Sequence, residues 1–287
     1  MGASFKGNRM SFKLFISDNK YSELEDILKP IQESLSMTLF KLSEHKVDDI
    51  LVVIGGDGTL NYLAQLEFKN TPQVIYFPEG TANDFAKTLN CTHSHLSTEV
   101  LKDIKRHAKS IDVPLMKCNE KYFINVATGG APATITNAGS DMLKKVTGKI
   151  SYYLSAIDQF MTPHVYQVSY KLDEVKSEGP IYGFTVAQGL YAGGGVKVSS
   201  GTTGMFQDEF SVVLAPAGSM KNSISDIIEL QNYKSNNYAS FKVMHTDKFS
   251  IKSLDNSPIA LKLDGEEYEN TQLEFSKTEK KISFYIY

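Results

Sequence analysis

The chain has 287 residues, 41% hydrophobic and 22% charged, so it holds one large domain or two ordinary ones around a sizeable core. A formal net charge of −3 argues against a nucleic-acid partner, and Cys91 and Cys118, without pairing or metal-ligand spacing, fit a reducing compartment. No stretch approaches a membrane span and residues 1–10 carry no apolar targeting core, so the sequence reads as a cytoplasmic protein with a leader before the first strand.

Phe12–Ile16 alternates as a strand, and Tyr21–Leu35 follows with an amphipathic helical pattern that Pro30 should interrupt. Met37–Leu42 predicts a second strand. Ile50–Ile54 is short and β-branched, as a buried parallel strand should be. It runs into Gly55-Gly56-Asp57-Gly58-Thr59, and Leu60 opens a helical run. Glycines let backbone approach a ligand closely, and a helix N-terminus offers N–H groups and a dipole that favour phosphate. A tight structural turn is the plainer reading of the same residues. After the strand Val74–Phe77 comes a second turn, Pro78-Glu79-Gly80-Thr81-Ala82-Asn83-Asp84, where Gly80 allows a bend and Thr81 suits the N-cap of a helix. Leu96–Arg106 predicts a further surface helix. Strands and helices alternate through this half, which predicts a parallel sheet covered on both faces with ligand loops at the carboxyl ends of its strands.

From Lys109 the pattern changes. Lys109–Met116 and Lys121–Ala127 read as a hairpin across Cys118-Asn119-Glu120, so the domain boundary is expected near residue 113. The division is then an α/β domain over 11–113 and a second domain over 114–287. The second has a mixed region from Gly129, a helix at Lys149–Met161 and another at Ser223–Asn232. Its strands are expected at His164–Leu172, Pro180–Gln188, Phe210–Leu214, Phe241–Met244, Lys248–Ser253, Ile259–Leu263, Leu273–Ser276 and Lys281–Tyr287. Many short strands separated by turn residues predict an antiparallel β-sandwich, whose last strand could pack back on the first domain.

Set in order, Gly55-Gly56-Asp57-Gly58-Thr59, Pro78–Ala86, Ile111-Asp112-Val113, Phe123–Ala127, Gly193-Gly194-Gly195 and Leu263-Asp264-Gly265-Glu266 resemble the diacylglycerol kinase catalytic family, which includes bacterial lipid kinases and the sphingosine and ceramide kinases. The first motif is shared with NAD kinases and phosphofructokinases; the second is far more specific. The resemblance implies a doubly wound α/β nucleotide-binding domain of the NAD kinase and phosphofructokinase type, a β-sandwich domain for the lipid, and a cleft between them. It implies ATP phosphates against Gly55, Gly56, Asp57, Gly58 and Thr59, with Gly80, Thr81 and Asn83 completing the site. No Walker-type lysine is present, so Mg²⁺ must neutralise the phosphates, held directly or through water by Asp57, Asp84 and Asp112. By the same resemblance Asp264 is the general base toward a lipid hydroxyl, diacylglycerol or a related lipid, and Glu266 supports it or the metal. An ordinary Asp-Gly turn is the plainer reading of that stretch.

Two departures qualify the resemblance. Where the family opens with Asn-Pro-x-Ser-Gly, this chain has Ile16-Ser17-Asp18-Asn19-Lys20; where it commonly has Asp-Gly-x-Leu-Asp, this chain has Gln207-Asp208-Glu209-Phe210-Ser211, so a second, structural Mg²⁺ is expected to be absent. Ser199-Ser200 stands where the family has Ala-Pro. The leading expectation is an ATP- and Mg²⁺-dependent lipid kinase that meets its substrate at the inner membrane surface. A non-catalytic nucleotide- or lipid-binding protein and an NAD-kinase-like enzyme are the alternatives. Free strand edges in the second domain could pair into a homodimer.

Overall fold

The computed structural model describes residues 11–91, 96–130, 164–199, 208–218, 226 and 238–286. The leader, the helix expected at Lys149–Met161 and nearly all of that at Ser223–Asn232 lie outside the described residues. The N-terminal elements are β1 (Phe12–Phe15), α1 (Asp18–Leu35), β2 (Thr38–Leu39), β3 (Ile50–Gly55), α2 (Asp57–Gln65), β4 (Gln73–Pro78), α3 (Asp84–Leu89) and α4 (Thr98–His107). Strands β2, β1, β3 and β4 lie side by side and parallel. Every residue of β3 is buried, as a central strand covered on both faces requires. One cover is α2 and α3, through Leu60, Leu63, Phe85 and Leu89. The other is α1 and α4, through Leu28, Ile31, Leu101 and Ile104. This is the doubly wound arrangement that the element order predicts.

Two local expectations are corrected. Helix α1 runs through Pro30: Leu28 and Ile31 face the core while Pro30 is exposed, so the carbonyl that loses its helical partner faces water. Strand β2 covers only Thr38–Leu39, because the chain leaves the sheet edge for a 3₁₀ turn at Leu42–Glu44.

The second half comprises β5 (Lys109–Cys118), β6 (Lys121–Phe123), β7 (Val126–Gly130), β8 (Tyr166–Leu172), β9 (Val175–Ala187), β10 (Tyr191–Ala192), β11 (Val196–Lys197), β12 (Phe210–Pro216), β13 (Lys242–Thr246), β14 (Lys248–Ser253), β15 (Ile259–Leu263), β16 (Glu266–Asn270) and β17 (Gln272–Ile286). The long strand β9 joins two layers: Val175–Ile181 pairs with β8, and the remainder lies between β7 and β12. Between the layers the ring of Phe184 meets Phe249 of β14 at 5.6 Å and Phe275 of β17 at 5.8 Å. Edge-to-face contacts of this kind add to the area the rings bury, and they lie at the centre of the sandwich core.

Strand β17 is continuous, where the sequence suggests two strands. Gln272–Ser276 pairs with β14, while Ser283 and Phe284 run parallel to Gln73 and Val74 of β4. The polar run between these parts is absorbed as a bulge opposite β5, pinned by Thr278 Oγ1 donating to the Leu115 carbonyl at 3.0 Å. Strand β5 likewise crosses residue 113 without a break. Conversely, the strand expected over Lys121–Ala127 is split at Ile124-Asn125.

Candidate active site

Glycine makes the meeting of the two turns possible. Gly55 ends β3 opposite Pro78 of β4, and the Glu79 N–H donates to the Gly55 carbonyl at 2.9 Å. A Cβ on Gly55 would stand 2.1 Å from Thr59 Oγ1, and one on Gly80 would stand 2.5 Å from the Gly56 Cα. Separations under 3 Å exclude any side chain, so both turns pack as bare backbone at the carboxyl edge of the sheet.

Helix α2 begins at Asp57, earlier than the apolar run starting at Leu60 suggests, so Asp57, Gly58 and Thr59 form its first turn. The Asp57 carboxylate accepts from the N–H groups of Asp84 and Phe85, both at 3.1 Å. It therefore caps α3. This corrects the expected cap: Thr81 is exposed in the bend, and α3 begins at Asp84. Asn83 sits in the left-handed conformation at φ 49°. Its side chain closes its own turn, Oδ1 accepting from Gly80 N–H at 2.9 Å and Nδ2 donating to the Gly80 carbonyl at 2.8 Å. Burial raises the Asp57 carboxyl above the ordinary Asp value against the lowering effect of these two N–H groups, and neighbouring Asp84 raises it further.

Asp84 is buried and joins the two halves. One oxygen accepts from Lys87 Nζ at 3.0 Å, and the other from Gly194 N–H at 2.8 Å in the glycine turn after β10. Lys87, absent from the sequence-level site, puts a cation beside the turn. Nearby, a Cβ on Gly189 would lie 1.7 Å from Asn125 Oδ1, and Asn125 Nδ2 donates to the Tyr191 carbonyl at 3.0 Å.

Asp264 and Gly265 form the turn between β15 and β16, at φ 49° and 101°, so the Asp-Gly turn is real. The Asp264 carboxylate is nevertheless fully engaged. It accepts from Ile124 N–H at 2.7 Å, and from Asn125 and Val126 N–H, each at 2.9 Å. These bonds break the expected strand between β6 and β7, because three successive N–H groups leave the ladder for one carboxylate. Asn61 Nδ2 of α2 stands 3.5 Å from Asp264 Oδ2 and 3.3 Å from the Leu263 carbonyl. One turn on, Gln65 Nε2 donates to the Tyr122 carbonyl at 2.6 Å and Tyr122 N–H donates to Gln65 Oε1 at 3.1 Å. Burial pushes the Asp264 carboxyl up to about 6 despite the three N–H donors, with the Asp57 charge adding to the rise. Glu266, in contrast, is exposed. A Cβ on Gly58 would lie 3.4 Å from its Oε1.

Asp112 does not join this group. Ile111 and Val113 pack with α2 and α3, so alternation turns Asp112 to the other face of the sheet. Its carboxylate pairs with Lys281 Nζ at 2.6 Å, which with Ser283 holds it below the usual Asp value. Register puts Asp112 beside Ser283, and Ser283 beside Gln73 at the start of β4. The site lies past Pro78 at the end of that strand, roughly 16 Å away. No group of three Asp, Glu, His or Cys side chains suited to a metal occurs among the described residues.

A cleft of about 780 Å³ opens beside Gly58 and Thr59, lined also by Phe15, Tyr21, Phe40 and Tyr62. The departing first loop forms part of its wall through Ser17 and Asp18, with Ser17 capping α1. The aromatic lining has no motif; Asn61, a polar residue beside the buried Leu60, Leu63 and Ala64 of α2, is the one signal a helical reading offers.

Residues 17–116, which contain both glycine turns and the Asp57 cap, match the diacylglycerol kinase catalytic domain. They belong to that family. Among relatives of the whole chain, a diacylglycerol kinase of Staphylococcus carnosus is 34% identical over 129 residues, 44% of this chain and 40% of that protein. A "Probable lipid kinase YegS-like" of Alcanivorax borkumensis is 25% identical over 240 residues, 82% of this chain and 78% of that protein. The match thus spans less than two thirds of the Staphylococcus protein. In fold, the chain resembles a crystal structure named as a "putative diacylglycerol kinase" from Bacillus anthracis, at a TM-score of 0.72 and 21% identity, covering 96% of both chains. An NAD kinase from Archaeoglobus fulgidus has a TM-score of 0.52 at 15% identity, covering 96% of this chain and 94% of that one. Both likenesses bear on the fold alone, which is as the motifs imply.

Proposed function

We propose that the protein is an ATP-dependent lipid kinase that transfers the γ-phosphoryl group to a lipid hydroxyl, with diacylglycerol as the first candidate. The observation that carries this is the packing of the two glycine turns against each other, with the partly exposed first turn of α2 and the Asp264–Glu266 hairpin facing it. Family membership and the named lipid kinase relatives support the same class. The nucleotide base would occupy the aromatic cleft and its phosphates the first turn of α2, where N–H groups and the dipole favour anions. Phosphoryl transfer needs positioning and charge neutralisation more than covalent help from the protein.

The donor set suits Mg²⁺. Asp57 and Asp84 are adjacent carboxylates whose oxygens each accept a single hydrogen bond, leaving lone pairs for an ion that commonly takes one or two carboxylates with water and phosphate. Bound there, the ion would neutralise charge on the phosphate oxygens. Asp112, expected to share this duty, faces the other side of the sheet. Lys87 holds Asp84 in place, Asn61 ties α2 to the hairpin that carries the acceptor-side carboxylates, and Gln65 ties it to β6.

No helix among the described residues is long and apolar enough to cross a membrane, so the substrate would be met at the membrane surface. The test is incubation with γ-labelled ATP, Mg²⁺ and mixed micelles of candidate lipids, with Asp57→Ala as control. Label in a lipid, lost in the control, supports the reading. Label in NAD instead would favour the NAD-kinase-like alternative, and tight ATP binding with no labelled product a non-catalytic protein.

A further inference from the structure

Resting on the nucleotide reading just given, we propose that Asp18 makes the site select a ribonucleotide: its carboxylate accepts from the vicinal hydroxyl groups of the donor's ribose.

The loop that carries Asp18 leaves the sheet where the phosphate turn does. Phe15, the last residue of β1, lies beside Val53 of β3, so Ser17-Asp18 and Gly56-Asp57 follow at one edge, and α1 and α2 both begin there. The two helices share the cleft, Asp18 lining it from one and Gly58 and Thr59 from the other. Among the described residues that line it, Asp18 alone carries a charge. A cleft assigned to a polyanion thus has one charged side chain, and that charge is negative. The polar side chains around it are already engaged. Ser17 Oγ accepts from Lys20 N–H at 3.4 Å, Tyr21 Oη donates to Gln32 Oε1 at 2.9 Å, and Ser22 Oγ donates to the Asp18 carbonyl at 3.1 Å. Asp18 itself is exposed, and its carboxylate enters no hydrogen bond or ion pair among the described residues.

An ionised carboxylate only accepts hydrogen bonds, and a triphosphate offers it no proton and repels it. Away from its phosphates, ATP has two kinds of donor: the ribose diol and the 6-amino group of the base. In the pose proposed above the base lies on the aromatic wall, while the ribose stands between base and phosphates, which leaves the diol for Asp18. Two adjacent hydroxyls match two carboxylate oxygens, and dinucleotide-binding α/β folds set an acidic residue on a ribose hydroxyl in this way. A site built to bond a hydroxyl rejects the analogue that lacks it, because the charged acceptor is then covered and left unpaired. The Asn-Pro-x-Ser-Gly loop that Ile16–Lys20 replaces has no acid, so this selectivity belongs to the chain's own departure from the family.

The experiment is calorimetric titration, with Mg²⁺ present, of wild type and Asp18→Ala with ATP, 2′-deoxy-ATP, 3′-deoxy-ATP and the triphosphate of purine riboside, which lacks the 6-amino group. Wild type should bind each deoxy analogue about 10-fold more weakly than ATP, the scale of a hydrogen bond to a charged group, and should bind the purine riboside nucleotide as it binds ATP. Asp18→Ala should bind ATP and both deoxy analogues alike. The ratio is the readout, since removing a negative charge changes the affinity for any polyanion. Equal binding of ATP and the deoxy analogues by wild type overturns the proposal, as does a ratio that survives in Asp18→Ala. A ratio confined to the purine riboside nucleotide would put the carboxylate on the base, and an equal loss of affinity for all four in Asp18→Ala would put it beside the phosphates and metal; either overturns the proposal. Wild type that binds no nucleotide overturns this inference and the kinase reading together, whereas wild type that discriminates as expected but labels no lipid overturns the kinase reading alone.

Discussion

Gly56 and Gly80 meet backbone to backbone, so close that a methyl group on Gly80 would stand 2.5 Å from the Gly56 Cα and 2.7 Å from Asn83 Oδ1. The two turns come from strands joined through a whole helix, and their contact sets the spacing of Asp57 from the α3 N–H groups that it caps. Gly80→Ala should therefore cost about 1–3 kcal/mol of stability, as overpacking does, and should weaken ATP binding by moving the turns apart. Urea unfolding and calorimetric titration with ATP check both. Unchanged affinity would mean that the contact is packing alone.

Asp112→Asn should leave lipid phosphorylation within about twofold of wild type, because the residue faces away from the site. Its exposed ion pair with Lys281 belongs to a class worth about 0–1 kcal/mol, so the melting temperature should scarcely move either. Initial rates at saturating ATP and lipid decide this. A large loss of kcat would return Asp112 to the metal site.

Much of the fold was legible because its signals are local. Ile50–Gly55, the glycines and the helical spacing beyond them are contiguous, and the strand between Gln73 and Pro78 repeats the pattern. The Asp57 cap was illegible because its partners lie 27 and 28 residues on and Thr81 offered a local cap of ordinary chemistry. Asp112 was readable in principle: Ile111 and Val113 announce a strand face that excludes the residue between them, but the motif order outweighed the alternation. β17 was divided because its Lys277–Lys281 polar run reads as a break when the bulge against β5 is unseen. The Asp264 bonds explain why the strand Lys121–Ala127 fails at a place where its own residues favour continuation, since tertiary partners override β-propensity.

Because burial raises the Asp264 carboxyl from 3.8 to about 6, its folded form holds the proton more tightly than the unfolded chain does. The associated stability is fully present below pH 3.8, the unfolded value, and is lost as pH rises through 6. The rise corresponds to about 3 kcal/mol. Relative to Asp264→Asn, wild type should thus gain up to about that amount as pH falls from 7 toward 4. Urea unfolding of both proteins across this range measures the difference. A flat difference would show that the three N–H donors cancel the effect of burial.

The cleft beside Gly58 and Thr59 has an aromatic wall in which Phe15 packs against Phe40 at 5.4 Å and against Tyr62 at 6.0 Å. Tyr62 is 62% exposed, which leaves ring surface open to a flat ligand. Stacking a nucleotide base on such a face is worth about 1–3 kcal/mol. Tyr62→Ala should then raise the ATP KM by about 5- to 100-fold while kcat at saturation changes little, because in the proposed pose the ring would touch the base and not the transferring phosphoryl group. Phe40→Ala should act in the same direction but also lower stability, since its ring packs on Phe68 at 5.9 Å as well. The split between KM and kcat for Tyr62→Ala decides the assignment: a fall in kcat with unchanged KM would place the base elsewhere in the molecule.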